Sequence, residues 1–343
     1  MREPSVPVRL VWPGKTQQKP APSADIALVR RGHSACTLIA GDNLPALGAL
    51  RDRFAERVAL VYMDPPFFTG RRHSTIRRSR DPRSGKILRS SSFAFDDRWD
   101  GLDDYLSALA ERVVAARELL TPDGCLVLHV DPKTSHYAKV LCDEVFGPRC
   151  FASEIVWRYR RWPSKTKNFQ RVHDVLLRYV KDPGIAPRFR QLYEPLAEST
   201  ISTWGSRKQR AVVDTDGRRV RSSTTADPTP GAPLGDVWEI GIVAPVARER
   251  TGYPTQKPEA LLRRLIEACT EPGDWVLDPY CGSGTTLSVC KQIGRRAIGI
   301  DSSPQALKVS RKRLKELGVR PREERVMLGE RAEPVAGRRR DVA

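Results

Sequence analysis

Apolar and polar positions along the chain fall into blocks whose period switches between that of strands and that of helices. "CTLIAGD" ends at Asp42 and is followed by "LPALGALRDRFA", where apolar residues recur at helical spacing. "VALVYMD" ends at Asp64, a helical stretch "LDDYLSALAERVVAARELL" precedes the strand "GCLVLHVD", and "HYAKVLCDEVFG" reads as another helix. "EIVWRYR" and "DVLLRYV" read as strands suited to pair with each other. This alternation predicts an α/β fold, a doubly wound and mostly parallel sheet with helices on both faces. From about Lys181 to Asp236 the pattern fails. That stretch is polar and rich in Pro, Ser and Thr, with short β-like pieces such as "RAVVDTDGRRV", and reads as an insertion with its own task. Regular structure returns with the helix "KPEALLRRLIEACT", and the tail after about Leu317, ending "GRRRDVA", reads as frayed.

The apolar run "VALVYM" stops against an acid, two prolines and two aromatics, "DPPFF". Proline lacks an N–H and fixes φ, so Pro65 and Pro66 force the chain out of the sheet at Asp64. A carboxylate then stands at a strand's carboxyl end, the edge where open α/β sheets bind ligands. Asp-Pro is also an ordinary turn signal, and a strand that merely stops fits the same residues.

With 343 residues, 40% of them hydrophobic, the chain suits one large domain with a smaller inserted one. No apolar run approaches the roughly 20 residues needed to span a bilayer, so no membrane partner is expected. "MREPSVPVRLVWPGK" lacks the apolar core of a signal peptide, and the expected location is cytoplasmic. Seven cysteines without a CxxC pair argue against a disulfide framework and a structural zinc site, and they read as reduced and mostly buried. His73, His129, His136 and His173 are scattered without ligand spacing, so no metal is expected and they read as structural or DNA-facing.

The formal net charge of +18 changes the picture, because such a field favours a polyanion. The excess sits in blocks. "GRRHSTIRRSRDPRSGKILRS" (Gly70 to Ser90) shows neither helical nor strand periodicity and reads as a flexible loop that grips phosphate through Arg71, Arg72, Arg77, Arg78 and Arg80. A solvated loop with no such part fits too. "WRYRRWPSKTKNFQR" (Trp157 to Arg171) interleaves Arg158, Arg160 and Arg161 with aromatics, as expected of a surface that meets phosphates and stacks on bases, although a basic strand edge would look similar.

In "DWVLDPYCGSGTTLSVCKQIGRRAIGID" (Asp274 to Asp301) a strand runs into a Gly-rich turn, a helix and a second strand ending in an acid. This is a nucleotide-type βαβ unit, in which glycines let the backbone approach a ligand and the terminal carboxylate accepts from ribose hydroxyls. Leu287 replaces the third glycine of the dinucleotide fingerprint, which disfavours a pyrophosphate and favours an adenosine without phosphates.

"MDPPF" (Met63 to Phe67), "YPTQKPEALL" (Tyr253 to Leu262) and "LDPYCGSGTT" (Leu277 to Thr286) together resemble the amino-group DNA methyltransferases, in the beta arrangement where the catalytic motif precedes the S-adenosylmethionine motif. The resemblance covers roughly Ala35 to Leu314 outside the insertion. It implies a circularly permuted Rossmann-like methyltransferase fold, S-adenosyl-L-methionine as cofactor and double-stranded DNA as partner. It leaves room for a homodimer and for a cognate restriction endonuclease. The implied organisation is an N-terminal extension (1–24), a catalytic half (25–180), a target-recognition insertion (181–236), a cofactor-binding half (237–318) and a flexible basic tail (319–343).

The resemblance gives Asp64 and the Pro65 carbonyl the task of accepting the target's amino hydrogens, within the catalytic segment Asp64, Pro65, Pro66 and Phe67. Phe67 would stack on the flipped base, with Phe68 a lesser candidate. Asp278, Tyr280, Gly282, Gly284, Thr285 and Thr286 would form the turn at the methionine moiety. Asp301 would take the ribose, Asp42 would sit near the adenine unless it serves only as a helix N-terminal acid, and Gln256 and Lys257 would line the pocket. Cys281 reads as packing, since the Pro-Cys pair of cytosine-carbon methyltransferases is absent. "DPPF" points to adenine N6 as the target. Cytosine N4 methylation and a catalytically silent nucleic-acid-binding relative are the competing readings.

Overall fold

The alternation becomes a ten-stranded sheet flanked by helices in a computed structural model that describes residues 8–12, 15, 21–22, 24–80, 87–163, 165, 167–205, 211–221 and 228–327. In chain order the strands are β1 (Asp25–Arg30), β2 (His33–Ala40), β3 (Val58–Met63), β4 (Arg71–Arg80), β5 (Ile87–Asp97), β6 (Leu120–Val130), β7 (Phe151–Arg158), β8 (His173–Val180), β9 (Tyr193–Glu194), β10 (Ala211–Val213), β11 (Arg219–Arg221), β12 (Ala232–Pro233), β13 (Val237–Glu239), β14 (Trp275–Asp278), β15 (Arg296–Asp301) and β16 (Pro321–Met327). The helices are α1 (Asn43–Phe54), α2 (Leu102–Leu119), α3 (Ser135–Phe146), α4 (Glu198–Trp204), α5 (Glu259–Cys269), α6 (Thr285–Gln292) and α7 (Pro304–Glu316).

The sheet order is β1-β16-β2-β15-β14-β3-β6-β8-β7-β13. From β16 through β6 neighbouring strands are parallel, and β1 and β8 pair antiparallel on either side. The cofactor-type strands β14 and β15 come late in the chain yet lie between β2 and β3, which is the permuted order. Every residue of β3 is buried, because helices cover both faces of the central sheet. Val61 and Met63 point into a layer with Leu47, Leu109 and Leu141, from α1, α2 and α3. Leu60 and Tyr62 point into the opposite layer with Leu265, Leu287 and Leu314, from α5, α6 and α7.

Three expectations need correction or refinement. The segment from Gly70 to Ser90 is not a loop without regular structure. β4 and β5 pair antiparallel from Arg71↔Asp97 to Arg80↔Ile87, forming a separate two-stranded ribbon. The ribbon lies outside the main sheet and its apolar contact is confined to its base, where Ala94 is buried against Tyr253, Ala306 and Val309, so the Arg, Ser and Thr residues before it show no hydrophobic period.

The tail does not begin at 319 either. β16 runs parallel to β2 and separates it from β1. "PREERVM" looks solvent-facing, but buried Glu323 meets Arg311 at 3.0 Å and buried Glu324 meets Arg53 at 2.9 Å, so this strand buries paired charges in place of apolar side chains.

The described parts of the insertion form helix α4 and two small sheets, β10 with β11 and β9 with β12, and just beyond it β13 joins the main sheet parallel to β7. Part of the N-terminal extension packs down as well, Trp12 Nε1 donating to Ser107 Oγ of α2 at 3.0 Å. β7 and β8 pair as expected. All seven cysteines are free and buried. Among the described residues no helix is long and apolar enough to cross a membrane.

Candidate active site

Parallel pairing puts the carboxyl ends of β2, β15, β14, β3 and β6 on one edge, and Asp42, Asp301, Asp278 and Asp64 lie at the ends of four of these strands. A cleft of about 550 Å³ opens there. Its wall brings together Asp42, Asp64, Pro65, Pro66, Phe67, Gln256, Lys257, Asp278, Tyr280, Gly282, Thr285, Thr286 and Asp301, from both halves of the chain.

The Asp64 loop is held in shape from outside. Buried Asp97, the last residue of β5, accepts from the Phe68 and Thr69 N–H groups at 2.9 Å each, from the Thr69 hydroxyl at 2.5 Å and from Trp99 Nε1 at 3.1 Å. That clamp holds Phe68 at a φ of 57°, a region unfavourable for a side chain of this size. Phe68 leans on Tyr105, with centroids 5.7 Å apart. Phe67 instead lies in the cleft wall, 5.5 Å from the His129 ring and with Lys257 Nζ 4.9 Å above its face.

Asp64 Oδ2 accepts from Lys257 Nζ at 2.5 Å, whereas buried Oδ1 has no hydrogen-bond partner. His129 Nδ1 stands 3.7 Å from Oδ1, too far for a hydrogen bond, and is within 2.8 Å of the Tyr62 hydroxyl. Its Nε2 faces Asp174 at 3.3 Å, and Asp174 also accepts from the Tyr159 hydroxyl at 2.9 Å. Burial alone would raise the Asp174 carboxyl, but His129, the Lys257 charge and Tyr159 outweigh it and leave it below the usual range. His129 is thus tied into the wall behind Asp64, a placement that its isolated position in the sequence did not signal.

The glycine turn closes the other side. Gly282 has a φ of 48°, and a Cβ there would meet the Tyr253 ring at 3.4 Å. Gly284, with a φ of 73°, does not line the cleft but packs on Ser310, whose Oγ a Cβ would approach to 2.7 Å. Asp301 accepts the Gly282 N–H at 2.9 Å through one oxygen and the Ser303 N–H at 2.8 Å through the other, which leaves lone pairs for a ligand. Burial pushes Asp301 up to about 6 despite these two N–H groups. Burial also pushes Asp278 up to about 7, with the Thr286 hydroxyl and the Tyr280 N–H opposing and the Asp64 and Asp301 charges adding. Thr286 gives its hydroxyl to Asp278 at 2.5 Å, and Thr285 gives its own to the Lys257 carbonyl at 3.1 Å.

Two cleft residues have structural duties. Asp42 Oδ1 caps α1 by accepting from Leu44 N–H at 2.8 Å, and it meets Arg112 at 3.2 Å. Gln256 uses its amide on Thr251 and on the Glu249 carbonyl, bracing the turn before α5. Burial raises the Cys281 thiol well above its ordinary value, which suits packing.

Of the predicted basic residues with described side chains, none lines the cleft. Arg71 is exposed, Arg72 meets Asp96 at 3.2 Å, and the side chains of Arg77, Arg78 and Arg80 lie outside those described. Arg158 pairs with Glu239, Arg160 is exposed, and Arg161 donates to the Tyr159 hydroxyl at 3.1 Å.

A family model described as DNA methylase matches residues 58–312. The type II methyltransferase M.HpaI of Haemophilus parainfluenzae is 27% identical over 271 residues, which is 78% of this chain and 72% of that protein. The DNA adenine methyltransferase YhdJ of Escherichia coli (strain K12) is 28% identical over 286 residues, 83% of this chain and 84% of that one. Among solved structures, the cytosine-N4-specific PvuII DNA methyltransferase matches with a TM-score of 0.53 at 15% identity, covering 84% of this chain and 90% of its own, a likeness of fold.

Proposed function

The chain belongs to the DNA methylase family, and on that premise we propose that it transfers a methyl group from S-adenosylmethionine to the N6 amine of an adenine turned out of double-stranded DNA. The observation that carries this reading is Asp64 Oδ1, a buried acceptor without a partner on the wall of the cleft that the glycine turn also lines. An exocyclic amine is a poor nucleophile because its lone pair is conjugated with the ring. Lys257 fixes Oδ2, so Oδ1 is left to accept one amino hydrogen, and the Pro65 carbonyl serves as the second acceptor. Holding both hydrogens draws the nitrogen toward tetrahedral geometry and frees its lone pair for attack. Pro65 and Pro66 lack N–H groups, so the loop offers the base edge acceptors without competing donors at these two residues. Phe67 supplies the face on which the extruded base stacks.

Bound S-adenosylmethionine supplies an electrophilic methyl group on sulfonium. The residues fit it: Gly282 keeps open the space beside Tyr253, Asp301 accepts from ribose hydroxyls, and Asp278, once ionised, adds negative charge beside the turn. Residues 25–180 form the catalytic half, 181–236 carry target recognition, and the cofactor half extends through β16. YhdJ, named an adenine methyltransferase, supports adenine as the target. The type II name of M.HpaI suits a restriction partner for this chain.

The test is to express the chain in a methylation-deficient host and identify modified bases in its DNA by mass spectrometry. N6-methyladenine is expected. N4-methylcytosine would move the target, and no modified base would refute the reading. Asp64→Ala should abolish transfer with cofactor affinity nearly intact, and a variant with near-normal turnover would remove Asp64 from catalysis.

A further inference from the structure

The loop between β7 and β8, residues 159–172, contains two aromatics that the fold leaves in the open. Trp162 is 90% exposed and Phe169 is 98% exposed, whereas Tyr159 at the loop's foot is only 5% exposed. Its described residues are tied by three contacts. Gln170 Nε2 donates to the Trp162 carbonyl at 2.9 Å, Asn168 Oδ1 accepts the Phe169 N–H at 2.7 Å, and Arg171 meets Asp131 at 2.9 Å. These contacts involve the backbone or neighbouring side chains, and both rings remain in solvent. Single exposed apolar residues need no explanation, but two large rings in one braced loop form a surface.

The same stretch carries Arg160, Arg161, Lys165, Lys167 and Arg171 and no acid. Its place in the fold is fixed by topology. β3 and β6 are parallel, β8 is antiparallel to β6, and β7 is antiparallel to β8, so β7 ends at the same edge as Asp64. From the loop's foot the side chains run Tyr159 to Asp174 at 2.9 Å, Asp174 to His129 at 3.3 Å, and His129 to Asp64 at 3.7 Å. The rings therefore stand on the side of the molecule from which a target base enters.

Cations follow phosphates and need no rings, while a fully paired duplex buries its base faces and offers rings nothing. Aromatics among cations at the mouth of a base-accepting cleft fit DNA whose bases have been unstacked. On the reading of the cleft given above, we infer that the β7–β8 loop is a base-stacking element: Trp162 and Phe169 pack on nucleobases exposed when the target leaves the helix, while the loop's cations hold the flanking phosphates.

The double variant Trp162→Ala/Phe169→Ala tests this against a short duplex with a central mismatched bubble and its fully paired counterpart. The parent chain should prefer the bubble. The variant should lose about tenfold in bubble affinity, in the range expected for removing base–aromatic stacks, with little change on the paired duplex and the same salt slope. Methyl transfer to unmethylated genomic DNA should fall with it, while cofactor affinity and melting temperature stay at parental values. Unchanged bubble affinity would overturn the inference. So would unchanged DNA binding together with a shift from dimer to monomer in sedimentation, which would make the rings a self-association surface. A parent chain that prefers the bubble but methylates no DNA would refute the methyl-transfer reading and leave the stacking element standing.

Discussion

If Asp301 receives ribose hydroxyls, cofactor affinity should titrate with it. Both Asp301 oxygens already accept backbone N–H groups, yet burial holds the carboxyl at about 6 in the ligand-free chain. Ribose hydroxyls donate to the ionised form, so binding selects the carboxylate and pulls the proton equilibrium toward its loss. The sign follows: affinity is full above about 6 and falls as pH drops through that value. With only the ionised form competent, the dissociation constant should rise roughly tenfold between about pH 7.5 and about pH 5. Asp278, at about 7, adds a second and higher inflection if the bound sulfonium also favours its ionised form. Asp301→Asn should remove only the lower step and move the upper one slightly down, because the Asp301 charge helps to raise Asp278. At neutral pH this variant should bind more weakly by about 1.5 to 3 kcal/mol for each lost charge-assisted hydrogen bond. Calorimetric titration of the protein with S-adenosylmethionine across this pH range, in buffers of different ionisation enthalpy, reads both affinity and proton release. A flat parental profile, or a lower step that survives in Asp301→Asn, would refute the assignment.

Neutralising Arg77, Arg78 and Arg80 on β4 should weaken binding to all DNA sequences alike and reduce the salt slope by up to about 2.7; unaltered affinity and slope would leave the ribbon without a DNA role. Exchanging residues 181–236 for the equivalent segment of a relative should change which sequence is methylated, read by mapping modified bases, and an unchanged sequence would place recognition elsewhere. Gly284→Ala should lower stability by about 2 kcal/mol, since its left-handed backbone disfavours a side chain and the new Cβ would meet Ser310 at 2.7 Å; an unchanged thermal midpoint would show that the turn relaxes.

What the sequence made legible was the local signal: which strands end in acids, where proline stops a strand, and where glycines let a chain turn. Those signals located Asp42, Asp64, Asp278 and Asp301, and parallel pairing brought them to one edge. The β4–β5 ribbon and β16 escaped because hydrophobic periodicity reports burial of apolar faces. The ribbon stands apart from the main sheet, and β16 is stabilised by Arg–Glu pairs instead.

The surroundings of Asp64 escaped for a different reason. The sequence places Lys257 in the pocket but not beside Asp64, 193 residues away, and His129 and Asp174 come from neighbouring strands β6 and β8. Asp97 clamps the Asp64 loop only because antiparallel register returns β5 to the residues that follow Phe67. A loop rich in prolines and aromatics has little ladder of its own to hold it. Its conformation therefore depends on partners chosen by strand order and register, which are properties of the assembled sheet and not of any window of the chain.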